Sequence, residues 1–211
     1  MDDEAVRVAV AMRLGLQLCQ PHDCRCGAAV DVWGTHALIC KKAAGGLTRH
    51  FAINDVISRA IICAGIPLSK EPSGVLRGSA LRPNCITLVP WRGGRALAWD
   101  ATIASTLADS YLKVSSTRAG SASESAAAKK MLKYAGLSAE FSFQPVSLES
   151  LGPACSSTAA FISDLGRRIA SVSGEQREES FLWQRLSICL QRYNSILLHQ
   201  SFVELTPEPD E

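Results

Sequence analysis

Two short apolar runs joined by a glycine turn stand at the centre of the hydrophobic pattern. The first run, Ile86 to Val89, is rich in β-branched residues, and the second, Ala96 to Ile103, contains Leu97 and Trp99. The four residues between them, Arg92-Gly93-Gly94-Arg95, are typical of a tight turn, so the pattern predicts a β-hairpin. This hairpin would bring Asn84 and Asp100, with Glu71 upstream, towards one end of a sheet.

Apolar residues at three- and four-residue spacing predict two helices before the hairpin. The stretch from Asp3 to Leu16 carries the pattern of the first, and this helix is expected to end at Gly15. The other runs from about Arg49 to Ala64, with Thr48 as its N-cap, after a link from Lys41 to Gly46. Most polar residues of this second helix are expected on a solvated face; they are Arg49, His50, Asn54, Asp55 and Arg59.

The chain after the hairpin predicts a loop, a basic helix, a strand near a sheet edge, two helices and a frayed tail. In that order, these segments are Ser115–Ser125, Ser123–Tyr134, Phe141–Val146, Ser156–Ser171, Gln176–Phe202 and Thr206–Glu211. On the basic helix, Lys130, Lys133 and Tyr134 fall on one face. The order of elements predicts an α/β fold with a mixed sheet flanked by helices.

Composition changes this picture little. The chain has 211 residues, 47% of them hydrophobic, which suits one domain with a small appendage. No run approaches eighteen apolar residues, and no basic, apolar leader opens the sequence, so we expect an intracellular protein with no membrane partner. The net charge of +2 favours neither the presence nor the absence of a nucleic-acid partner.

Four of the eight cysteines lie in the first forty residues. Cys24, Cys26, His36 and Cys40 offer three thiolates and an imidazole, a ligand set that suits tetrahedral Zn²⁺. The single residue between Cys24 and Cys26 is shorter than the usual spacing, and Cys19 and His22 are further candidates. The alternative is a group of buried free cysteines beside a core histidine.

Carboxylates on a hairpin and a lysine on the following helix suit phosphodiester chemistry. A divalent metal ion such as Mg²⁺ takes oxygen ligands, and a neighbouring lysine can stabilise phosphate charge. Arginines on the two last helices, among them Arg167 and Arg168, can line a phosphate backbone, although solvated arginines are the more common outcome.

The chain resembles the restriction-like endonuclease region of non-LTR retrotransposons, over about Leu14 to Phe202. The motifs that carry the resemblance lie in one order, which is Cys24-Arg25-Cys26-Gly27, Gly34-Thr35-His36-Ala37-Leu38, Arg49-His50, Glu71-Pro72, Arg82-Pro83, Trp99-Asp100-Ala101-Thr102 and Lys130-x-x-Lys133-Tyr134. That region belongs to the PD-(D/E)xK nuclease superfamily and follows a CCHC zinc knuckle. The resemblance implies a restriction-endonuclease-like mixed sheet preceded by a small Cys/His zinc-knuckle-like segment.

The resemblance also implies roles for individual residues. Asp100 matches the second acidic position, a metal ligand, and Lys130 or Lys133 matches the lysine on the helix after the hairpin. Glu71 matches the upstream acidic residue, and Thr102 stands where many superfamily members have the lysine. At the first metal position the family has aspartate and this chain has Asn84, whose amide lacks the charge that holds Mg²⁺ or Mn²⁺. The implied DNA-contacting residues are Arg49, Arg82, Tyr134, Arg167 and Arg168.

The sequence therefore predicts a retroelement-derived, metal-dependent DNA endonuclease domain whose catalysis is impaired by Asn84. The alternatives are a non-catalytic DNA-binding module and a decayed retrotransposon fragment. We expect a lead-in helix and zinc-knuckle-like segment over 1–45, a nuclease-like domain over 46–204 and a disordered tail over 205–211. Expected partners are DNA, and RNA or a reverse-transcriptase module of the parent element; the expected location is the nucleus.

Overall fold

The predicted hairpin forms the centre of a four-stranded mixed sheet. In the computed structural model, which describes residues 1–75, 82–137 and 140–202, the strands lie in chain order. They are β3 (Leu68–Lys70), β4 (Cys85–Arg92), β5 (Arg95–Ala104) and β6 (Phe141–Glu149). The β3–β4 and β4–β5 pairs are antiparallel, and the β5–β6 pair is parallel. The predicted pairing of Ile86–Val89 with Ala96–Ile103 is confirmed, since Ile86 lies opposite Ala98.

The hairpin turn is closed by two glycines. Arg92 and Arg95 are paired across it, and Gly93 and Gly94 both have positive φ angles, of 56° and 74°. A two-residue turn with this left-handed backbone matches the twist of the flanking strands, and glycine adopts it without steric cost.

Seven α-helices occur among the described residues. They are α1 (Asp3–Leu14), α2 (Thr35–Ile39), α3 (Ala44–Cys63), α4 (Asp109–Ser115), α5 (Ser121–Lys133), α6 (Ser156–Ser173) and α7 (Glu178–His199). A 3₁₀ turn, Ala135–Leu137, follows α5. The predicted end of α1 at Gly15 is confirmed, since this glycine caps the helix with a φ of 66°.

The alternation of side chains along β5 separates the two faces of the sheet. Leu97, Trp99 and Ala101 belong to the main core, together with apolar residues of α3, α6 and α7. Ala98 and Ala104 point to the other face, where Tyr134 and the first turns of α5 cover them. The sheet is therefore flanked by helices on both faces, and the predicted packing of the second helix on it is confirmed by Ile53, Ile57 and Ile61 of α3.

Two local predictions are wrong. Helix α3 begins at Ala44, so Thr48 is not its N-cap; the Thr48 hydroxyl donates to the Ala44 carbonyl inside the helix. The segment Ser115–Ser125 is not a continuous loop, because α5 already begins at Ser121. Its helix formers prevail over its small polar residues once the first turn packs against β5.

The chain divides into two compact units. One contains Met1–Arg49 with the described part of Gln191–Glu211, and the other contains His50–Leu190, including the four-stranded sheet. In the first unit, β1 (His22–Asp23) and β2 (Ala29–Val30) form a small hairpin, and Val8, Leu18, Ala37 and Leu198 form a separate core. The predicted tail lies outside the described residues. Over 1–75, 82–137 and 140–202, the helices lack the length and hydropathy that crossing a membrane requires.

Candidate metal centre and candidate active site

Cys24, Cys26, His36 and Cys40 converge in the first unit. Their ligand atoms all lie within 4.8 Å of one another. The Sγ atoms of Cys24 and Cys40 are 3.8 Å apart, and Sγ of Cys26 is 3.1 Å from Nε2 of His36. The three thiols and the imidazole can hold a metal ion such as zinc, which takes these ligands in a tetrahedron.

Local backbone structure explains how the short Cys24-x-Cys26 spacing brings both thiols to the same place. Cys24 donates its N–H to the Ala28 carbonyl, and Gly27, with a φ of 89°, donates to the Cys24 carbonyl. The tight turn between β1 and β2 therefore directs both side chains to one side. His36 lies on α2, one helical turn before Cys40, the C-cap residue of that helix.

The two cysteines of the turn differ in acidity. Burial raises the pKa of the Cys24 thiol. A hydrogen bond from the Ala28 backbone, and then contacts with the other cluster members, lower the pKa of Cys26 to about 7. A thiol that ionises near neutral pH is prepared to bind a metal ion as thiolate.

The two further ligand candidates are engaged elsewhere. The Cys19 thiol donates to the Asp31 carbonyl at 3.4 Å. The His22 ring is stacked on Phe202, and its Nε2 is 2.8 Å from the Ser201 hydroxyl. Neither residue belongs to the four-residue cluster.

In the second unit, Asp100 and Lys130 form a largely buried ion pair. Asp100 lies on β5, and Lys130 lies on α5, which covers that face of the sheet. Nζ of Lys130 is 2.6 Å from Oδ2 of Asp100, and the exposed fractions of the two side chains are 21% and 5%. At this burial, the carboxylate charge is compensated by the lysine rather than by water.

Asn84 lies beside this pair, immediately before β4. Its N–H donates to the Trp99 carbonyl, and its Oδ1 accepts a hydrogen bond of 2.6 Å from the Ala101 N–H. Asn84 thus spans the residues on either side of Asp100. Glu71 reaches Asn84 through its backbone, since its N–H donates to the Asn84 carbonyl, and its side chain is exposed.

The two candidate lysines occupy different environments. Lys130 contacts Asp100, whereas Lys133 is exposed and lies over the Tyr134 ring, with Nζ 4.9 Å from the ring centre. Thr102, at the position where many superfamily members have lysine, lies opposite Ser147 of β6. Of these three residues, Lys130 is the one whose Nζ forms an ion pair with the Asp100 carboxylate.

The residues expected to contact DNA fall into two groups. Arg82, Arg167 and Arg168 are at least partly exposed, whereas Arg49 and Tyr134 are buried. The Arg49 guanidinium donates to Asn194 Oδ1 at 2.8 Å, and burial lowers its pKa to about 10. The Tyr134 hydroxyl donates to the Arg82 carbonyl; burial and then the Asp100 charge raise its pKa. Contact with DNA stays a prediction for all five.

Two positioning residues were not found from the sequence. Asn54 is buried in α3, and its Oδ1 accepts a hydrogen bond of 2.9 Å from Trp99 Nε1. This bond fixes the side chain of Trp99, the residue before Asp100. The prediction of a mainly solvated polar face is therefore wrong at Asn54 and at buried Arg49, while His50 is half-buried against the Ala101 carbonyl. A polar residue between apolar helix positions was the available signal for Asn54.

The second such residue is Glu149, at the end of β6. Its buried carboxylate accepts from the backbone N–H groups of Ala122 and Ser123, at 2.9 and 3.3 Å. These donors belong to the first turn of α5, whose N-cap, Gly120, has no side chain to accept them. Glu149 therefore holds the helix that carries Lys130, and nothing in the local sequence indicated this role.

Comparison with protein-family models and with curated proteins finds no match to this chain.

Proposed function

We propose that the sheet-containing unit is a restriction-like DNA endonuclease domain derived from a non-LTR retrotransposon, with cleavage impaired by Asn84. The observation that carries the proposal is the buried Lys130–Asp100 pair beside Asn84. The family motifs imply an acidic residue on the second hairpin strand and a lysine on a helix that follows the hairpin, and this chain has Asp100 on β5 and Lys130 on α5. The mixed sheet flanked by helices also agrees with the proposed fold.

The donor atoms around Asp100 do not suit Mg²⁺ in the unaltered protein. Mg²⁺ takes a near-octahedral set of oxygen ligands with carboxylates among them. Asp100 is already paired with a cation, and the Asn84 oxygen accepts the Ala101 N–H. Asn84 also contributes no negative charge. This combination supports slow or absent metal-dependent cleavage by the wild-type protein.

Replacing Asn84 by aspartate tests the proposal directly. An aspartate at this position keeps an oxygen for the Ala101 N–H and adds the missing charge, so the local backbone needs no change. In a supercoiled-plasmid nicking assay with Mg²⁺ or Mn²⁺, we expect Asn84→Asp to nick at least tenfold faster than wild type. That factor corresponds to about 1.4 kcal/mol, which is a fraction of the several kcal/mol of transition-state charge stabilisation that a bound metal ion supplies.

Two matched variants identify the cause of the expected gain in nicking. Asn84→Ala removes the oxygen without adding a charge, so it should give no gain. Adding Asp100→Ala to Asn84→Asp should abolish the gain. Rapid metal-dependent nicking by wild type that is lost in Asp100→Ala would show that Asn84 does not impair catalysis. If neither wild type nor Asn84→Asp binds or cleaves DNA, the nuclease proposal is wrong.

A non-catalytic DNA-binding module is the second candidate, and the same ion pair favours it. With Lys130 in place, Asp100 is compensated without a metal ion. This candidate predicts that a folded Asn84→Asp protein binds DNA as wild type does and still does not nick it. The retroelement origin also implies two further partners, an RNA and a reverse-transcriptase module of the parent element, and a nuclear location. These proposals depend on the nuclease proposal and are tested with it.

A further inference from the structure

Three arginines from two elements surround one aspartate at the turn end of the hairpin. Asp164 of α6 is contacted by Arg92, at the end of β4, and by Arg167 and Arg168 of its own helix. The nitrogen–oxygen distances are 3.3, 3.6 and 3.3 Å, in that order. One carboxylate is therefore shared by three guanidinium groups, none of which has a close bidentate contact with it.

Arg168 fixes the geometry of this cluster. Its guanidinium carbon lies 3.9 Å from the centre of the Trp91 ring, and its Nη2 donates to the Trp91 carbonyl at 3.2 Å. Trp91 itself is buried against Phe161 of α6. The contacts attach the hairpin end to α6, so Arg92 and Arg167 project from a rigid support, with 71% and 73% of their side chains exposed.

The balance of charge at this surface favours an anionic partner. Three positive groups, those of Arg92, Arg167 and Arg168, against the one negative group of Asp164 leave an excess of positive charge. Mutual repulsion makes such a cluster unfavourable by itself. An anion with several acceptor oxygens relieves that repulsion and can be held by forked guanidinium groups.

A cleft of about 200 Å³ borders Arg92. Arg92 and Asp164 form part of its wall, and Ser142, Gln144 and Ser157 provide further polar groups. Hydroxyl, amide and guanidinium groups are all donors to phosphate oxygens. The cleft therefore offers neutral donors beside the charged ones, the mixture that contacts with nucleic-acid backbones use.

We propose that Arg92, Arg167 and this cleft form a surface that binds the phosphodiester backbone of duplex DNA, remote along β4 from Asn84. The inference rests on the proposed function, and it adds a contact surface formed by the hairpin turn and α6. Duplex DNA is the backbone that the proposed nuclease would bind. Duplex RNA offers the same phosphate chemistry, so the experiment includes both.

The test compares two double variants that remove the same charge. Arg92→Gln with Arg167→Gln removes the projecting arginines and leaves Arg168 on Trp91. The control, Arg59→Gln with Arg177→Gln, removes two arginines that are as exposed, at 79% and 72%, and that also contact carboxylates. Fluorescence anisotropy with a labelled 20-base-pair DNA duplex, and an RNA duplex of the same sequence, gives Kd from 50 to 200 mM salt.

We expect the test pair to weaken DNA binding roughly tenfold near 150 mM salt. The slope of log K against log salt should become shallower by about 1.8, since each lost phosphate contact contributes about 0.9. The control pair should change the slope by less than half of that amount. An equal loss with RNA would extend the surface to both backbones, and a loss with DNA alone would assign it to DNA; either result supports the proposal.

A third variant acts in the opposite direction. Asp164→Asn removes the carboxylate that competes for the arginines, while Trp91 still holds Arg168, so we expect binding several-fold tighter than wild type. Equal effects of the test and control pairs, or binding unchanged in Arg92→Gln with Arg167→Gln and in Asp164→Asn, would overturn the surface while leaving the proposed nuclease intact. A wild-type protein that binds neither duplex would overturn both.

Discussion

Lys130 and Asp100, thirty residues apart in sequence, form an ion pair of 2.6 Å between the helix α5 and the strand β5. The pair depends on which face of the sheet the Asp100 side chain points to. Its neighbours Trp99 and Ala101 point into the main core, so Asp100 points to the opposite face, where α5 passes. The crossover from β5 to the parallel strand β6 places α5 on that face.

Replacing Lys130 should lower the free energy of unfolding more than replacing Asp100. Lys130→Met leaves a carboxylate that is only 5% exposed without its partner, and we expect a loss of about 3 kcal/mol in the free energy of unfolding. Asp100→Asn should cost less, because Lys130 is more exposed and can reach water. The double variant should be more stable than Lys130→Met alone. Urea denaturation followed by tryptophan fluorescence measures all three.

Lys129→Met is the matched control for that series. Lys129 is exposed, and its Nζ lies near the Tyr111 hydroxyl instead of a carboxylate. Its replacement should change stability by about 0.5 kcal/mol or less. Additive effects of Lys130→Met and Asp100→Asn in their double variant would contradict a coupled pair.

The Cys/His cluster should hold zinc. Elemental analysis of reduced, purified protein should find about one Zn²⁺ per chain. Cys40→Ser should release the ion and destabilise the first unit, because three ligands hold the metal less tightly than four. Cys63→Ser, at an exposed cysteine outside the cluster, should retain it. Reduced protein without zinc would reject the metal centre.

The carboxylate of Glu149 should stabilise α5. Glu149→Ala leaves the Ala122 and Ser123 N–H groups without that acceptor, and we expect a loss of about 1 to 3 kcal/mol. Glu149→Gln keeps an acceptor oxygen and should lose less. Glu140→Ala, at an exposed glutamate, is the control. Equal stability of Glu149→Ala and wild type in thermal denaturation would show that α5 does not need this cap.

Tyr134 should make the protein sensitive to alkaline pH. Burial and the Asp100 charge raise the pKa of the folded phenol, whereas the unfolded phenol ionises near its ordinary value of about 10. The stabilisation is therefore fully present below about pH 10 and is lost as pH rises towards the folded pKa. Subtracting the phenolate absorbance titration of Tyr134→Phe from that of wild type isolates this group. A Tyr134 component centred near pH 10 in folded protein would contradict the prediction.

The local sequence determined most of the elements whose contacts are between residues close together in the chain. The two glycines between Arg92 and Arg95 specify the tight turn, and the apolar runs on either side specify the strands, because turn and strand preferences act over a few residues. The Cys/His cluster was predictable for a similar reason. All four ligands lie within seventeen consecutive positions, and the turn at Gly27 makes the short spacing of Cys24 and Cys26 workable.

The tertiary structure decided which residues meet across the sheet. The sequence left Lys130 and Lys133 as alternatives, since both lie near one helix face, and only the docking of α5 on β5 brings Lys130 to Asp100. Asn54 gave only the signal of a polar residue between apolar helix positions and Glu149 gave none, because their partners Trp99 and Ala122 are distant in the chain. A polar residue shows its role in sequence when its partner is local. When the partner comes from another element, packing alone determines whether the side chain is solvated or becomes part of the core.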